Sequence, residues 1–213
     1  MGDAAASMDI LAEENAKQRE QVIELLTKAY WMEIETVMSY IANSVNPDGV
    51  RAQEVKDSLA QDIQEELGHA QQFASRIKEL YGVVPGSEAF ASQQSFLQPP
   101  DEQVDIVHVI KGVIEAEQGA IEHYSRIVEE TDASDPVTQD MVIAILRDEQ
   151  GHKRMFEGFL RYPVGRAASL EARGATAADP AERAELLAEA RGAWEQLGRP
   201  VDAARCAALE ARV

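Results

Sequence analysis

Glu66 and His69 lie three residues apart in the stretch EELGHA, and Glu149 and His152 repeat that step in DEQGH. A three-residue step on a helix returns side chains to one face, so each pair offers a carboxylate and an imidazole to a common point. One such pair means little. This chain carries more: Glu33 with Tyr40 matches Glu117 with Tyr124 at an offset of 84 residues, and the two Glu-X-X-His pairs are offset by 83. All four glutamates fall inside apolar stripes of helical period. Glu33 sits among Val22, Leu26, Ala29, Tyr30, Val37, Tyr40 and Ile41. Glu66 sits among Leu59, Ile63, Ala70, Phe73, Ile77 and Leu80. Glu117 sits among Ile106, Ile110, Val113, Ala120, Ile121, Tyr124 and Ile127, and Glu149 among Val142, Ile145, Phe156, Phe159 and Leu160. Glu35, Glu115 and Glu122 point away from the stripes, and His108 and His123 are expected on the surface.

Four carboxylates turned toward one interior repel each other, and desolvation raises their pKa values until several are neutral. Two divalent cations would remove that cost, because four negative charges would meet four positive ones. Carboxylate and imidazole donors without a thiolate suit iron or manganese better than structural zinc or copper(I). Six ligands around two ions leave positions open for water, dioxygen or peroxide.

Four long helical segments must hold these residues, at about 12–45, 50–82, 102–131 and 136–161. NPDG joins the first two as a turn, and TDASDP joins the last two. There Asp135 can cap free N–H groups, and Pro136 fits the first helical position. The joint at 82–100 is longer and rich in Pro, Gly and Ser. Nineteen extended residues reach roughly 60 Å, whereas a helix of about 28 residues spans roughly 40 Å. The joint can therefore run the length of a bundle, giving two antiparallel hairpins linked by one long crossover. The expectation is all-α: a bundle domain over 1–162 and an Ala-rich helical extension over 163–213. The extension opens with a capping box at Asp179, Pro180 and Glu182. It weakly resembles a tetratricopeptide-type hairpin, and it is expected to dock on the bundle or on a neighbouring subunit.

The formal net charge of −18 argues against nucleic acid and against anionic membrane surfaces as partners. A single cysteine, Cys206, allows no disulfide within the chain and fits a reducing cytoplasm. The first residues show no basic and apolar leader pattern, and the longest aliphatic run, MVIAIL, is too short to cross a bilayer.

These residues and their order resemble the ferritin-like di-iron carboxylate proteins, most closely the bacterioferritin branch. The resemblance covers roughly residues 15–160. It implies a ferritin-like four-helix bundle with metal ligands Glu33, Glu66, His69, Glu117, Glu149 and His152, of which Glu66 and Glu149 bridge two ions. It implies that Asp148 orients His69 and that Glu65 orients His152. Tyr40 and Tyr124 would hydrogen-bond the ligands or donate an electron. Two iron ions per chain are expected, with manganese as the other candidate. Bacterioferritins bind haem through a methionine where this chain has Leu67, so no haem is expected by that route. The long C-terminal extension is unusual for a cage. Rubrerythrins need cysteine pairs that are absent here, and the interfacial motif of DNA-binding miniferritins is not found. The resemblance implies a ferroxidase that oxidises Fe(II) with dioxygen or peroxide, in iron storage or detoxification. Alternatives are a di-iron oxygenase or oxidase acting on an organic substrate, a dimanganese catalase and a non-enzymatic helical adaptor. A cytoplasmic homo-oligomer is expected, with the C-terminal extension as a candidate contact.

Overall fold

The computed structural model describes residues 9–49 and 52–211, the side chain of Tyr162 excepted. The expected lack of a leader rests partly on residues 1–8, which lie outside the described residues. The chain divides into two compact units, Met1–Arg154 and Met155–Val213.

The first unit holds four helices, α1 (Ala16–Val45), α2 (Ala52–Glu79), α3 (Ile106–Glu130) and α4 (Pro136–Thr176) as far as Arg154. Cross-helix bonds fix their directions. Tyr40 of α1 meets Glu117 of α3 while Glu33 meets Tyr124, so these two run antiparallel. Arg76 of α2 meets Asp135 while Glu65 meets His152, so α2 and α4 are antiparallel too. The result is an all-α four-helix bundle of two hairpins, as the connection lengths require. One end is filled by Leu26, Phe73, Ile77, Tyr124, Ile127, Val142 and Ile145. Each such side chain contributes about 1.5–3 kcal/mol by leaving water.

Helix ends follow the local chemistry. Asp135 caps α4 by accepting from Thr138 N at 3.1 Å, and it also pairs with the buried Arg76 guanidinium at 2.8 Å. The α2 end is less regular. Gly82 N donates to the Ile77 carbonyl and Tyr81 N to the Lys78 carbonyl, and the left-handed residue is Tyr81, with φ 67°. Gly82 is needed for space, since a Cβ there would lie 2.8 Å from Ile77 Cγ2.

The crossover runs the length of α1, and the anchors are specific. Phe90 packs on Trp31, and Gln93 N and Gln94 N donate to the Glu35 carboxylate. Asn43 Nδ2 donates to the Leu97 carbonyl, and Asp48 N to the Gln103 carbonyl. On α3, Gly112 admits the strap: a Cβ there would stand 2.6 Å from the Phe96 carbonyl oxygen.

Four expectations are corrected. Glu35, placed on the outer face of α1, is buried because the crossover covers that face and supplies two N–H donors to it. His123, expected at the surface, is buried with Nε2 2.9 Å from the Leu25 carbonyl oxygen. Ile41, counted in the buried stripe, is half exposed. The last bundle helix, expected to stop near 161, continues through Pro163 to Thr176. Proline removes only one donor there, and the residues after it are strong helix formers.

The second unit contains the end of α4, α5 (Pro180–Gln196) and α6 (Pro200–Glu210). Asp179 caps α5 through Ala181 N and Glu182 N. An isolated hairpin could not bury its own face, and the end of α4 is the third helix that does so. Gly174 approaches Leu187 so closely that a Cβ would lie 2.8 Å from its Cγ, and Glu171 accepts from Trp194 Nε1 and from Arg205. Among the described residues no helix is long and apolar enough to cross a membrane.

Candidate metal centre

Each bundle helix delivers one glutamate to the interior, because each glutamate replaces an apolar residue in a buried stripe. Glu33, Glu66, Glu117 and Glu149 are all buried, as are His69 and His152. Their ligand atoms form two clusters, Glu33–Glu66–His69–Glu149 and Glu66–Glu117–Glu149–His152, within each of which one ligand atom per residue lies within 4.8 Å of the others. Glu66 and Glu149 belong to both.

The distances favour an ion over hydrogen bonds. His69 Nδ1 is 3.1 Å from Glu149 Oε1, 3.2 Å from Glu66 Oε2 and 3.9 Å from Glu33 Oε1. His152 Nδ1 is 3.2 Å from Glu66 Oε1, 3.7 Å from Glu149 Oε2 and 4.0 Å from Glu117 Oε1. Yet His152 Nδ1, Glu66 Oε1 and Glu149 Oε1, all fully buried, have no hydrogen-bond partner. They are close to one another without being aimed at one another. Ligands about 2.1 Å from one octahedral ion stand roughly 3 Å apart when adjacent and roughly 4.2 Å when opposite. Buried polar atoms are otherwise almost always paired, so these orphaned atoms fit cations at the centre of each cluster.

The residues around the clusters hold them in place. Tyr40 Oη donates to Glu117 Oε1 at 2.5 Å, and Tyr124 Oη donates to Glu33. Each tyrosine thus serves the glutamate of the opposite helix rather than its own. Burial and the adjacent carboxylate raise both phenol pKa values, so the hydroxyls stay protonated donors. His152 Nε2 is 3.0 Å from Glu65 Oε2, a hydrogen bond. His69 Nε2 stands 3.7 Å from Asp148 Oδ2, beyond direct hydrogen-bond reach. Exposed His108 lies outside the centre, its Nε2 3.0 Å from the Gln98 carbonyl oxygen.

Protonation shows how the groups balance one another. Burial, then the charges of Glu66 and Glu149, raise Glu33 well above the usual carboxylate range. Burial and Glu149 do the same to Glu117. Burial opposes charge on the imidazoles, but contact with Glu149 and Glu66 outweighs it, lifting His69 to about 9 and His152 to about 12. Burial likewise works upward on Glu149, but His152, His69 and Glu117 hold it near 2. Without cations, the cluster neutralises itself with protons.

One buried acid escaped the sequence reading. Asp62 lies one turn before Glu66 on α2, is 3% exposed and has Oδ2 unpaired. Its signal was available, since 62, 66, 69 and 73 follow the helical period.

A ferritin-like domain profile matches residues 23–162. A DNA protection during starvation protein of Pyrococcus furiosus is 28% identical over 155 residues, covering 70% of this chain and 82% of that one. Bacterioferritin of Desulfovibrio desulfuricans is 30% identical over 135 residues, covering 52% of this chain and 75% of its own. A crystal structure of D. desulfuricans bacterioferritin, described with a diiron site in different catalytic states, superposes at a TM-score of 0.59. That match is at 25% identity and covers 69% of this chain and 82% of that one. The bacterioferritin-related dodecameric thioferritin of Bacteroides fragilis superposes at 0.64 with 24% identity, over 74% of this chain and 98% of that one.

Proposed function

We propose, from the premise that the chain belongs to the ferritin-like family near its bacterioferritin branch, that it binds two Fe(II) ions per chain and oxidises them with dioxygen or peroxide. The observation that carries this reading is the set of buried, unpaired ligand atoms on Glu66, Glu149 and His152, converging within hydrogen-bond distance but out of hydrogen-bond alignment. In this reading Glu33, His69, Glu117 and His152 each hold one ion, and Glu66 and Glu149 bridge both.

Iron is the substrate, and its chemistry is to supply one electron per ion to the oxidant. The chain's residues do the rest. His69 and His152 give up their protons as the ions bind, because a ligating nitrogen must offer a lone pair. Glu65 accepts from His152 Nε2 and keeps Nδ1 directed inward. Tyr40 and Tyr124 hold Glu117 and Glu33 by single hydrogen bonds, leaving the other carboxylate oxygens for the ions. Asp148 is near enough to orient His69 through water.

The domain division at 162/163, a cytoplasmic setting and a homo-oligomer are part of the same proposal. Exposed Met38, Ile41 and Val45 form an apolar stripe on α1 suited to a second copy. The net charge of −18 weighs against a nucleic-acid surface, whatever the name of the Pyrococcus relative says of that protein.

Size exclusion with metal analysis and stopped-flow Fe(II) oxidation tests the reading. About two irons per chain, an assembly larger than one chain, and oxidation abolished in the Glu66→Ala, Glu149→Ala double variant are expected. Oxidation as fast in that variant as in the parent protein would overturn it. Manganese as isolated, with rapid peroxide disproportionation, would redirect it to a catalase.

A further inference from the structure

Asp62 is a buried carboxylate that the metal clusters do not use. Its side chain is 3% exposed, and Oδ2 is sealed from solvent without a hydrogen-bond partner. Burying a carboxylate oxygen with nothing to compensate it is costly, and native folds rarely keep such an atom unless something visits it. Its surroundings say what that visitor is. Burial raises the carboxyl to about 6, and the charges that act on it are His152, Glu66, Glu65 and Glu149. It therefore faces the His152 cluster. Three residues further along α2, Glu65 keeps its side chain about half exposed while one oxygen touches His152 Nε2. Glu65 at the solvent, Asp62 one turn away under cover and Glu66 in the centre make a graded row of carboxylates on one helix. A hydrated divalent cation must exchange waters for protein oxygens in steps, and carboxylates at increasing depth allow that exchange.

We propose that Asp62, with Glu65, is a loading site: it takes a divalent cation from the solvent side and passes it to the Glu66–Glu117–Glu149–His152 cluster. The inference rests on the reading that this centre holds metal. Asp62 is a positioning residue for the incoming ion and not one of the final ligands.

The test uses Co(II), which reports binding through its visible absorption without being oxidised under anaerobic conditions. The full chain and its Asp62→Asn, Asp62→Ser and Asp62→Glu variants are loaded by stopped flow and titrated at equilibrium. Two Co(II) per chain are expected in every protein. Loading should slow by about tenfold or more in the Asn and Ser variants, which lose the charge. It should stay within about threefold of the parent in Asp62→Glu, which keeps it. Should the Asn variant fail to fold, the Ser and Glu pair carries the comparison. Parent-like loading in the neutral variants would overturn the proposal and leave Asp62 as the holder of a buried water. Fewer than two ions in those variants, or loading equally slow in Asp62→Glu, would also overturn it, pointing to a ligand or a packing role. Absence of Co(II) binding by the parent chain would instead remove the metal reading, and the loading site with it.

Discussion

His69 and His152 are protonated in the metal-depleted protein because the glutamates around them carry negative charge, and this sets a pH dependence. The folded pKa of His69, about 9, lies above its ordinary 6.5, so its contribution to stability is complete below 6.5 and is lost as pH rises through about 9. His152 extends that loss toward 12. Glu33 and Glu117 add to the same slope from about pH 4.5 upward, since each keeps in the fold a proton that the unfolded chain has released. Glu149 acts oppositely: its contribution is present above 4.5 and lost as pH falls through about 2. The melting temperature of chelator-treated protein should therefore fall between pH 6.5 and 9, while that of the metal-loaded protein holds, because cations replace those protons. A melting temperature of chelated protein that is flat or rising over that range would contradict the assignment. At this scale the site was largely legible. A glutamate in an apolar stripe is conspicuous, and four of them with two histidines define a centre before any fold is known. Glu35, His123 and Asp62 were not legible as buried. What covers Glu35 is the crossover, and periodicity within one helix says nothing about a loop that lies across it.

The elements that hold the centre include one without regular structure. Glu35 accepts Gln93 N at 2.9 Å and Gln94 N at 2.7 Å, and Gln94 Nε2 reaches the Met32 carbonyl and Thr36 Oγ1. The strap is thus tied to the same turn of α1 that carries Glu33, on its opposite side. Truncating Glu35 to alanine leaves two covered N–H groups without their charged acceptor, a loss of about 3 kcal/mol. That corresponds to roughly 6–12 °C in a chain of this size. Thermal unfolding should show this loss while the Co(II) stoichiometry stays at the parent value, since Glu35 points away from the metal clusters. An unchanged melting temperature would mean that the crossover needs no such anchor. The helices themselves were readable from period and caps: Asp135 and Asp179 cap as their sequence positions suggest. The end of α4 was not. Proline in RYPVG reads as a stop, and only packing in the second unit, where Leu170 and Gly174 meet α5, makes the longer helix favourable.

Across the whole molecule, 38 acidic residues against 20 basic ones make a net charge of −18. The clusters account for only a few of those charges, and most of the rest face water. Their field attracts small cations toward the surface and raises the concentration that the loading path meets. Such a field is screened over about 30 Å at 10 mM salt but over only about 8 Å at 150 mM. The buried contacts within the centre are screened much less. Capture and retention should therefore respond differently to salt. Raising monovalent salt across that range should slow Co(II) loading by on the order of tenfold. The number of ions bound at saturation should not change. Stopped-flow loading at several salt concentrations, each followed by equilibrium titration, checks both. If rate and stoichiometry fell together, the exposed acids would be binding ions themselves rather than steering them. If neither moved, the excess charge would serve solubility alone, and ion entry would be set by the local carboxylates of α2.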